Sequence, residues 1–255
     1  MTGGKTIDWP AIETIFAIVA DLATTLPNRS FQSWSKEDAT PVTSLDLETQ
    51  DRIIEAISNQ FPDHNILFEE GERAIISNAS PFTWVIDPID GTSNMMAGKR
   101  EYAVSVGLML ENRFIAAIVA FPALGEIYTG TIAHPLTVNR RPYAVPSPGQ
   151  PSREVILCSK TYESLKQTVA EHGFDAGFYY CATYSILKVL KREALAYHTV
   201  RTNLYDVGPM AFLLELSGGR SYGSDSAILT FSPSLDKIPF YCGAIALEPV
   251  RFLFN

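Results

Sequence analysis

Two aspartates lie three residues apart directly after an apolar run, and a Gly-Thr pair follows them. Asp87 and Asp90 precede Gly91 and Thr92 in the segment WVIDPIDGTSN. Carboxylate oxygens are the ligands that hard divalent cations prefer, and a glycine lets backbone approach a phosphate closely. These residue types at this spacing therefore indicate metal-assisted phosphate chemistry.

The same segment also has a plainer interpretation, because Asp-Gly is a common turn and proline beside aspartate is ordinary in loops. We expect residues 84–86 to end a buried strand, so that Asp87 and Asp90 emerge in a turn that Pro88 stiffens. Thr92 can then open a helix whose N–H groups point at an anion. The ends of strands are where α/β proteins usually carry their sites, which favours the chemical interpretation.

The composition limits the class of protein. The chain has 255 residues and 46% apolar content, enough for a substantial core in one large domain or two lobes. Its 28 acidic and 20 basic residues give a net charge of −8, which argues against nucleic-acid binding. No apolar run approaches the ~20 residues of a membrane span, and residues 1–8 lack the apolar stretch of a signal peptide. We therefore expect no membrane partner, and the three scattered cysteines fit a reducing cytoplasm best.

Cysteines and histidines give little support to other kinds of metal site. Cys158, Cys181 and Cys242 lie far apart without a C-x-x-C pair, so neither a disulfide framework nor a zinc site is indicated. The four histidines show neither H-x-x-x-H nor H-E-x-x-H spacing, which disfavours imidazole metal sites and histidine triads. Chemistry based on oxygen ligands remains.

Two local sequence patterns, a capping box and a short strand, place further acidic residues near the ends of predicted elements. Thr43 and Asp46 match a capping box at the start of a helix. A short strand at residues 66–68 delivers Glu69 and Glu70 directly after apolar residues. The chain thus presents a third cluster of carboxylates beside Asp46 and the DPID segment.

The remaining elements divide the chain into two lobes. A stretch rich in Pro, Ser and Gly at residues 142–152 is typical of a crossing loop. It separates an N-terminal α+β lobe with most of the candidate ligands, residues 1–145, from a C-terminal α/β lobe, residues 146–255. The other predicted elements are a helix capped by Asp8 and ended by Pro27, strands at 102–110, 114–121, 126–129, 155–158, 179–182, 196–200 and 239–244, and helices at 162–171, 184–192 and after Asp206. An aspartate at a helix N-cap contributes ~1 kcal/mol without any function, so Asp206 as an N-cap also has a structural explanation.

Taken together, these segments resemble the inositol monophosphatase family of magnesium-dependent, lithium-sensitive phosphatases, whose shared pattern is D-P-[IL]-D-G-[ST]. Here that pattern is DPIDGT at residues 87–92, and Asn94 also matches. The resemblance covers nearly the whole chain in the family order, through Lys36, residues 41–46, Glu69-Glu70, residues 102–107, Asp206 and Gly218-Gly219. It implies a layered αβαβα sandwich of the sugar-phosphatase type, described as α+β or α/β, and a homodimer.

The resemblance also implies a role for each matching residue. The implied metal ligands are Glu69, Asp87, Asp90 and Asp206, with the carbonyl of Ile89 as a backbone ligand. Asp46 would act near a further metal through water, while Gly91 and Thr92 would hold the phosphate. Thr92 with Glu69 would orient or activate the attacking water, Glu70 would support the ligands, and Asp206 would also lie on the substrate side.

Electrostatics agrees with such roles. Several carboxylates and a phosphate monoester repel one another, and divalent cations make such a site attractive. Two ions about 4 Å apart can activate water and neutralise the leaving alkoxide. All-oxygen ligands favour Mg²⁺, as two or three ions, with Mn²⁺ as a substitute.

The positions that depart from the family pattern concern the alcohol part of the substrate. Thr199 stands where inositol-binding members carry a glutamate that bonds sugar hydroxyls, so it either contacts a different alcohol or is simply a strand residue. The other departures are Tyr180-Cys181 for a Gly-[ST] pair, Tyr205 for Trp, Phe68 for Gly and Ala97 for His. The ligand carboxylates are retained, whereas the choice of leaving group is left open.

Three functions stay open from the sequence. The first is hydrolysis of a small phosphorylated alcohol or sugar. The second is a related phosphatase activity, on a 3′(2′),5′-bisphosphate nucleotide or on fructose 1,6-bisphosphate. Basic residues could meet the second phosphate of such a nucleotide, or be solvated surface charges; they are Lys188, Lys191, Arg192 and Arg201. The third is a binding or regulatory role on the same fold.

Overall fold

A computed structural model describes residues 7–37, 39–71, 80–146, 152–233 and 237–254. In these ranges a seven-stranded sheet is built from residues 65–142 and a five-stranded sheet from residues 154–244, with a two-stranded hairpin near the N-terminus. The elements in chain order are α1 (Trp9–Thr25), β1 (Ser33–Ser35), β2 (Pro41–Thr43), α2 (Ser44–Gln60), β3 (Asn65–Phe68), β4 (Phe82–Asp90), α3 (Thr92–Met96), β5 (Ala103–Leu110), β6 (Arg113–Phe121), β7 (Glu126–Thr131), β8 (Thr137–Val138), β9 (Arg141–Pro142), β10 (Glu154–Leu157), α4 (Tyr162–Glu171), β11 (Asp175–Gly177), α5 (Ala182–Leu190), β12 (Ala196–Thr202), α6 (Leu204–Leu216), β13 (Arg220–Tyr222) and β14 (Ile238–Ala244), with short 3₁₀ segments at Leu26–Asn28, Pro122–Leu124 and Glu248–Phe254.

The elements stack in five layers. Helices α1 and α2 pack on one face of the large sheet, and α5 and α6 lie between the two sheets. Helix α4 and the C-terminal 3₁₀ segment cover the outer face of the small sheet. Helix α6 is buried almost throughout, because it contacts strands of both sheets. This arrangement confirms the predicted layered sandwich.

Both sheets combine parallel and antiparallel pairs, and the register of the large sheet shifts at two places, in β4 against β5 and in β5 against β6. In the large sheet β3 pairs parallel with β4, and β4 to β9 continue as an antiparallel meander. In the small sheet β10 lies between β11 and β12 in parallel, and β14 pairs antiparallel with both β12 and β13. The last strand of the large sheet ends at Pro142 and the first strand of the small sheet begins at Glu154; the division into two lobes at residue 145 stays a prediction.

Helix α1 begins as the sequence predicts. The side chain of Asp8 accepts a hydrogen bond of 3.1 Å from the backbone N–H of Ala11. The segment Trp9–Asn28 also has the length and apolar character of a membrane-spanning helix, which the sequence analysis did not anticipate. In this structure one side of α1 packs in the core of the large sheet, through Ile12, Ile15, Phe16, Val19, Leu22 and Ala23.

Three local predictions are wrong. Strand β4 does not end at Ile86 but continues to Asp90. The strand predicted at 179–182 is absent from this described part of the chain; β11 lies earlier, at Asp175–Gly177, and Ala182 already begins α5. The N-cap of α6 is Asn203, so Asp206 is the third residue inside the capping box. All three errors concern where a helix or strand begins or ends. Tertiary contacts determine these positions more than local propensity does.

Candidate metal and phosphate site

The end of β4 brings the first two acids into the interior. Asp87 pairs with Ser105 of β5 and Asp90 pairs with Ala103, and the register shifts between these two pairs. A β-bulge of this kind redirects side chains at the end of a strand. Asp87 is only 1% exposed, so its carboxylate is held in the protein rather than in solvent.

Four acids from three parts of the chain meet at this point. Burial raises the pKa of Asp87 well above its usual range, and the nearby carboxylates of Glu69, Asp90 and Asp206 raise it further. Burial also raises the pKa of Asp90 to about 6, with Asp206 adding to the effect. The pKa of Glu69 rises to about 7, chiefly through burial and with contributions from Asp206 and Glu70, against the opposing effect of Lys36. The cluster therefore brings four acidic side chains together, of which Asp87 is buried and Glu69, Asp90 and Asp206 are half-buried.

Protein donors orient two of these carboxylates. Oδ2 of Asp90 accepts a hydrogen bond of 2.6 Å from the backbone N–H of Thr183, and the thiol of Cys181 lies 3.2 Å from the same oxygen. Oδ2 of Asp206 accepts hydrogen bonds from Thr202 Oγ1 at 2.8 Å and from Asn203 N at 2.8 Å. Each acid is thus held through Oδ2, which leaves Oδ1 as the atom to direct at a cation.

Lys36 contacts both glutamates that follow β3. Its Nζ lies 3.0 Å from Oε1 of Glu69 and 2.7 Å from Oε1 of Glu70. Burial would lower the pKa of Lys36, but the two glutamates outweigh it and raise the pKa. Gln50 fixes the backbone of Glu70 from both sides, with hydrogen bonds of 2.7 and 2.9 Å. Lys36 therefore balances part of the negative charge of this cluster.

Asp46 reaches the site through Thr92. The capping box is confirmed: Thr43 N donates to Oδ2 of Asp46 at 2.8 Å, and the hydroxyl of Thr43 contacts the same atom. The Thr92 hydroxyl lies 2.9 Å from Oδ1 of Asp46 and 2.9 Å from the carbonyl oxygen of Ile89. Burial raises the pKa of Asp46, although the bonds from Thr43 and Thr92 oppose it. The acid thus both caps α2 and holds the hydroxyl that opens α3.

Gly91 allows the backbone to pass through a confined space. It adopts a left-handed conformation with φ of +88° at the N-cap of α3. A Cβ atom placed there would lie 2.7 Å from the carbonyl oxygen of Glu101 and 3.1 Å from Cβ of Cys181. Only glycine fits this position without strain, so the turn presents backbone rather than a side chain.

The carboxylate and carbonyl oxygens of this site are ligands that suit a hard cation. Among the described residues, no three His, Cys, Asp or Glu side chains are already placed to hold a metal ion. Oδ1 of Asp87 is buried and accepts no hydrogen bond from the described residues. A buried carboxylate oxygen without a donor is costly. A divalent cation among the four acids would satisfy that oxygen and offset their mutual repulsion.

Of the two residues predicted on the substrate side, Asp206 belongs to the cluster of acids described above, whereas Thr199 is buried in a strand. Thr199 is 3% exposed in β12. Burial would raise the pKa of Cys158, but hydrogen bonds from Thr161 and Thr199 outweigh it and lower the pKa. The Thr199 hydroxyl also contacts Tyr197. It is therefore occupied within the protein, which favours the strand interpretation over direct contact with an alcohol.

The basic residues considered for a second phosphate are largely engaged elsewhere. Lys188 Nζ lies 2.8 Å from Glu154, and Lys191 Nζ lies 2.7 Å from Glu126. The guanidinium of Arg192 donates to the carbonyl of Ser217 at 2.8 Å. These contacts weaken the nucleotide bisphosphate alternative, since the charges already have partners.

Some residues of the site were missed from sequence. Thr183 and Cys181 hold Asp90 although they lie more than 90 positions away in the chain. Asn94 joins the same two regions, because its side-chain amide donates to the carbonyls of Glu101 at 2.8 Å and Tyr179 at 2.7 Å. The only sequence signal was the unusual Tyr180-Cys181 pair, and it gives no spatial partner.

Solved structures share this fold. A staphylococcal inositol monophosphatase (IMPase-I) in complex with products superposes with a TM-score of 0.82 and 18% identity, covering 98% of this chain and 96% of that chain. The Thermotoga maritima IMPase gives a TM-score of 0.78 and 20% identity, covering 96% of each chain. At these identities the likeness concerns the fold.

Curated relatives match parts of the chain. A histidinol-phosphatase of Chlorobaculum parvum is 35% identical over 147 residues, which is 58% of this chain and 56% of that protein. An inositol-1-monophosphatase of Bacillus subtilis is 24% identical over 216 residues, 78% of this chain and 82% of that protein. The chain spans about half the length, or less, of several other relatives that it matches. The model of the inositol monophosphatase family matches residues 6–231, and this chain therefore belongs to that family.

Proposed function

We propose that this protein hydrolyses small phosphate monoesters with the help of Mg²⁺. The observation that carries the proposal is the cluster of Glu69, Asp87, Asp90 and Asp206, which lie close enough to raise one another's pKa. Buried acids that repel one another destabilise a fold unless a cation or proton compensates them. A phosphatase that recruits divalent cations accounts for such an arrangement, whereas a purely structural role does not.

In this proposal the ligands are the carboxylates of the four acids and the carbonyl of Ile89. The orphaned Oδ1 of Asp87 and the Oδ2-anchored carboxylates of Asp90 and Asp206 are suited to the purpose, because their orientation is fixed before a cation arrives. When bound, Mg²⁺ would supply a water of lowered pKa and neutralise charge on the leaving oxygen.

The other residues act on the water and the phosphate. The Thr92 hydroxyl, held by Asp46, would accept a hydrogen bond from the attacking water and orient it, and the carboxylate of Glu69 would accept the proton of that water. The backbone N–H groups of Gly91 and Thr92, where α3 begins, would hold the phosphate. Lys36, whose Nζ lies 3.0 Å from Oε1 of Glu69, opposes the rise in the pKa of Glu69 and holds its carboxylate in place.

We further propose that the protein uses two or three Mg²⁺ ions, which Mn²⁺ can replace, and that Li⁺ inhibits it. We also propose that it forms a homodimer and acts in the cytoplasm. The three cysteines carry free thiols in this structure, as is usual in a reducing compartment. The net charge of −8 argues against a nucleic acid as the partner, and the proposed partner is a small phosphorylated metabolite.

The experiment is an assay of phosphate release from inositol 1-phosphate, histidinol phosphate, fructose 1,6-bisphosphate and adenosine 3′,5′-bisphosphate. Each ester is tested with Mg²⁺, with a chelator, and with Mg²⁺ plus Li⁺. The proposal predicts Mg²⁺-dependent hydrolysis of at least one monoester, and the specificity constants rank the substrates. Absence of hydrolysis from the whole panel would contradict the proposal and favour a binding or regulatory role.

A further inference from the structure

The segment that carries Cys181 also carries an aromatic pair beside the candidate site. The rings of Phe178 and Tyr180 have centroids 4.0 Å apart at an angle of 47°. Tyr180 is 61% exposed and adopts a left-handed backbone conformation with φ of +54°. A bulky exposed residue in this conformation is uncommon and costs free energy, so the fold must hold it there.

Two anchors fix the segment on either side of these rings. The backbone carbonyl of Tyr179 accepts the 2.7 Å hydrogen bond from Asn94 of α3. The Tyr179 hydroxyl donates to Oε1 of Glu154 at 2.6 Å, and Lys188 Nζ donates to that hydroxyl at 2.8 Å. With Tyr179 held at both ends, its neighbours on each side are presented in a defined position.

The aromatic pair borders two cavities next to the ligand cluster. One, of about 170 Å³, is lined by Cys181 and Tyr197 together with both rings. The other, of about 460 Å³, is lined by Asn94 and Lys99 together with both rings. Cys181, which lines the smaller cavity, contacts Asp90, and Asn94, which lines the larger one, lies in the helix that Thr92 opens. Each cavity thus shares a residue with the surroundings of the candidate site.

The smaller cavity combines uncharged apolar surface with a few polar groups. The described residues that line it carry no charged side chain; Leu157, Ala182 and the two rings are apolar, and Ser159, Ser185 and Tyr197 carry hydroxyls. A ring that bears heteroatoms can use both kinds of group. Its volume is close to the ~150 Å³ cavity that admits a benzene ring.

We propose that Phe178 and Tyr180 select phosphate esters whose alcohol part carries a flat aromatic ring, which lies against the two side chains while the phosphate lies at Gly91 and Thr92. This inference rests on the proposed phosphatase function and names its class of substrate. Lys99, whose Nζ lies 5.9 Å from the centre of the Tyr180 ring, adds positive charge at the mouth and favours an electron-rich ring.

Equilibrium binding tests the ring separately from turnover. Phenylphosphonate and methylphosphonate differ only in the ring, and neither is hydrolysed. In calorimetric titrations of the Mg²⁺-loaded protein, we expect phenylphosphonate to bind about tenfold more tightly or better. Tyr180→Leu and Phe178→Leu should each remove most of that preference, whereas Tyr180→Phe should keep it. Ile228→Ala is the control, since Ile228 is an apolar residue of similar exposure, 63%, elsewhere in the chain.

Turnover then identifies the kind of ring. Specificity constants for adenosine 2′-monophosphate and histidinol phosphate are compared with that for glycerol 2-phosphate in the same variants. We expect the ratio of an aromatic to the aliphatic ester to fall by about tenfold in Tyr180→Leu. Circular dichroism and the melting temperature establish that each variant is folded, and Tyr180→Phe separates loss of the ring from a change in backbone strain.

The outcomes are distinct for the two proposals. If esters are hydrolysed but phenylphosphonate shows no advantage, or if Tyr180→Leu leaves the ratio unchanged, the aromatic selection is wrong and the phosphatase function stands. If no ester is hydrolysed in the presence of Mg²⁺, the phosphatase function is wrong and the inference about its substrate falls with it.

Discussion

The hydroxyl of Thr92 lies at 2.9 Å from both Oδ1 of Asp46 and the carbonyl oxygen of Ile89. A hydroxyl carries one proton, so it can donate to only one of these acceptors at a time. If a cation binds the carbonyl oxygen of Ile89, the Thr92 hydroxyl donates its proton to Asp46. A lone pair of the Thr92 oxygen then faces the site. In the proposed function, this geometry lets the hydroxyl accept a hydrogen bond from the attacking water.

Replacing Thr92 by valine removes that hydroxyl with little change in shape. We expect the specificity constant for phosphate release to fall by about 10²–10³-fold, the usual effect of losing one positioned group. Thr92→Ser keeps the hydroxyl and should retain most of the activity. Steady-state kinetics of both variants provides the check, and a valine variant as active as wild type would exclude Thr92 from the reaction.

Gly91 and Gly98 form a matched pair for testing the confined turn. Both have positive φ, but a Cβ at Gly91 would lie 2.7 Å from Glu101 O, while a Cβ at Gly98 would meet nothing within 4 Å. We expect Gly98→Ala to cost about 1 kcal/mol from backbone strain alone and Gly91→Ala to cost several kcal/mol. Urea unfolding measures both free energies, and equal losses would show that space at position 91 is not limiting.

His198 predicts a loss of stability in acid. It is 2% exposed, and burial lowers its pKa to about 4. Its Nδ1 lies 3.2 Å from the carbonyl of Tyr241, which requires the tautomer that donates from Nδ1. Because the folded pKa lies below the unfolded value of 6.5, the unfolded chain binds the extra proton between these pH values. The stability contributed by neutral His198, about 3 kcal/mol, is therefore present above pH 6.5 and lost as the pH falls towards 4.

The measurement is the free energy of unfolding between pH 7 and pH 4 for wild type and His198→Phe. The variant keeps a ring beside Phe240, whose centroid lies 4.6 Å from that of His198, and should show a shallower decline. His134→Gln is the control, because His134 is exposed, and should leave the pH dependence as in wild type. A decline in His198→Phe as steep as in wild type would assign the acid sensitivity to other groups.

Local patterns were sufficient wherever neighbouring residues determine the structure. The capping box of Thr43 and Asp46 and the Asp8 cap could be read from sequence because their bonds span three residues. The DPIDGT segment was found for the same reason. By contrast, the strand β4 runs past Asp87 because β5 pairs with it, and propensity alone favoured a turn at Pro88.

Long-range contacts explain the rest. Asn203 rather than Asp206 caps α6, and both residue types suit an N-cap, so sequence could not choose between them. Thr183, Cys181 and Tyr179 reach the site from another lobe, through bonds between residues 85 to 93 positions apart. Periodicity contains no information about such partners. The ligand roles of Glu69, Asp87, Ile89, Asp90 and Asp206 stay predictions.

The charge of Asp90 provides the most direct test of the central claim that the acidic cluster binds Mg²⁺ and promotes hydrolysis. Asp90→Asn removes the charge but retains an oxygen that can accept the hydrogen bond from Thr183 N, so the fold should persist. Asp51→Asn on the exposed side of α2 is the matched control. The measurement is phosphate release from the best ester of the panel as a function of Mg²⁺ concentration, with circular dichroism of each variant. We predict that Asp90→Asn, folded as wild type, loses about three orders of magnitude of Mg²⁺-dependent activity while Asp51→Asn loses none; a folded Asp90→Asn variant with wild-type activity at the same Mg²⁺ concentration would contradict the account.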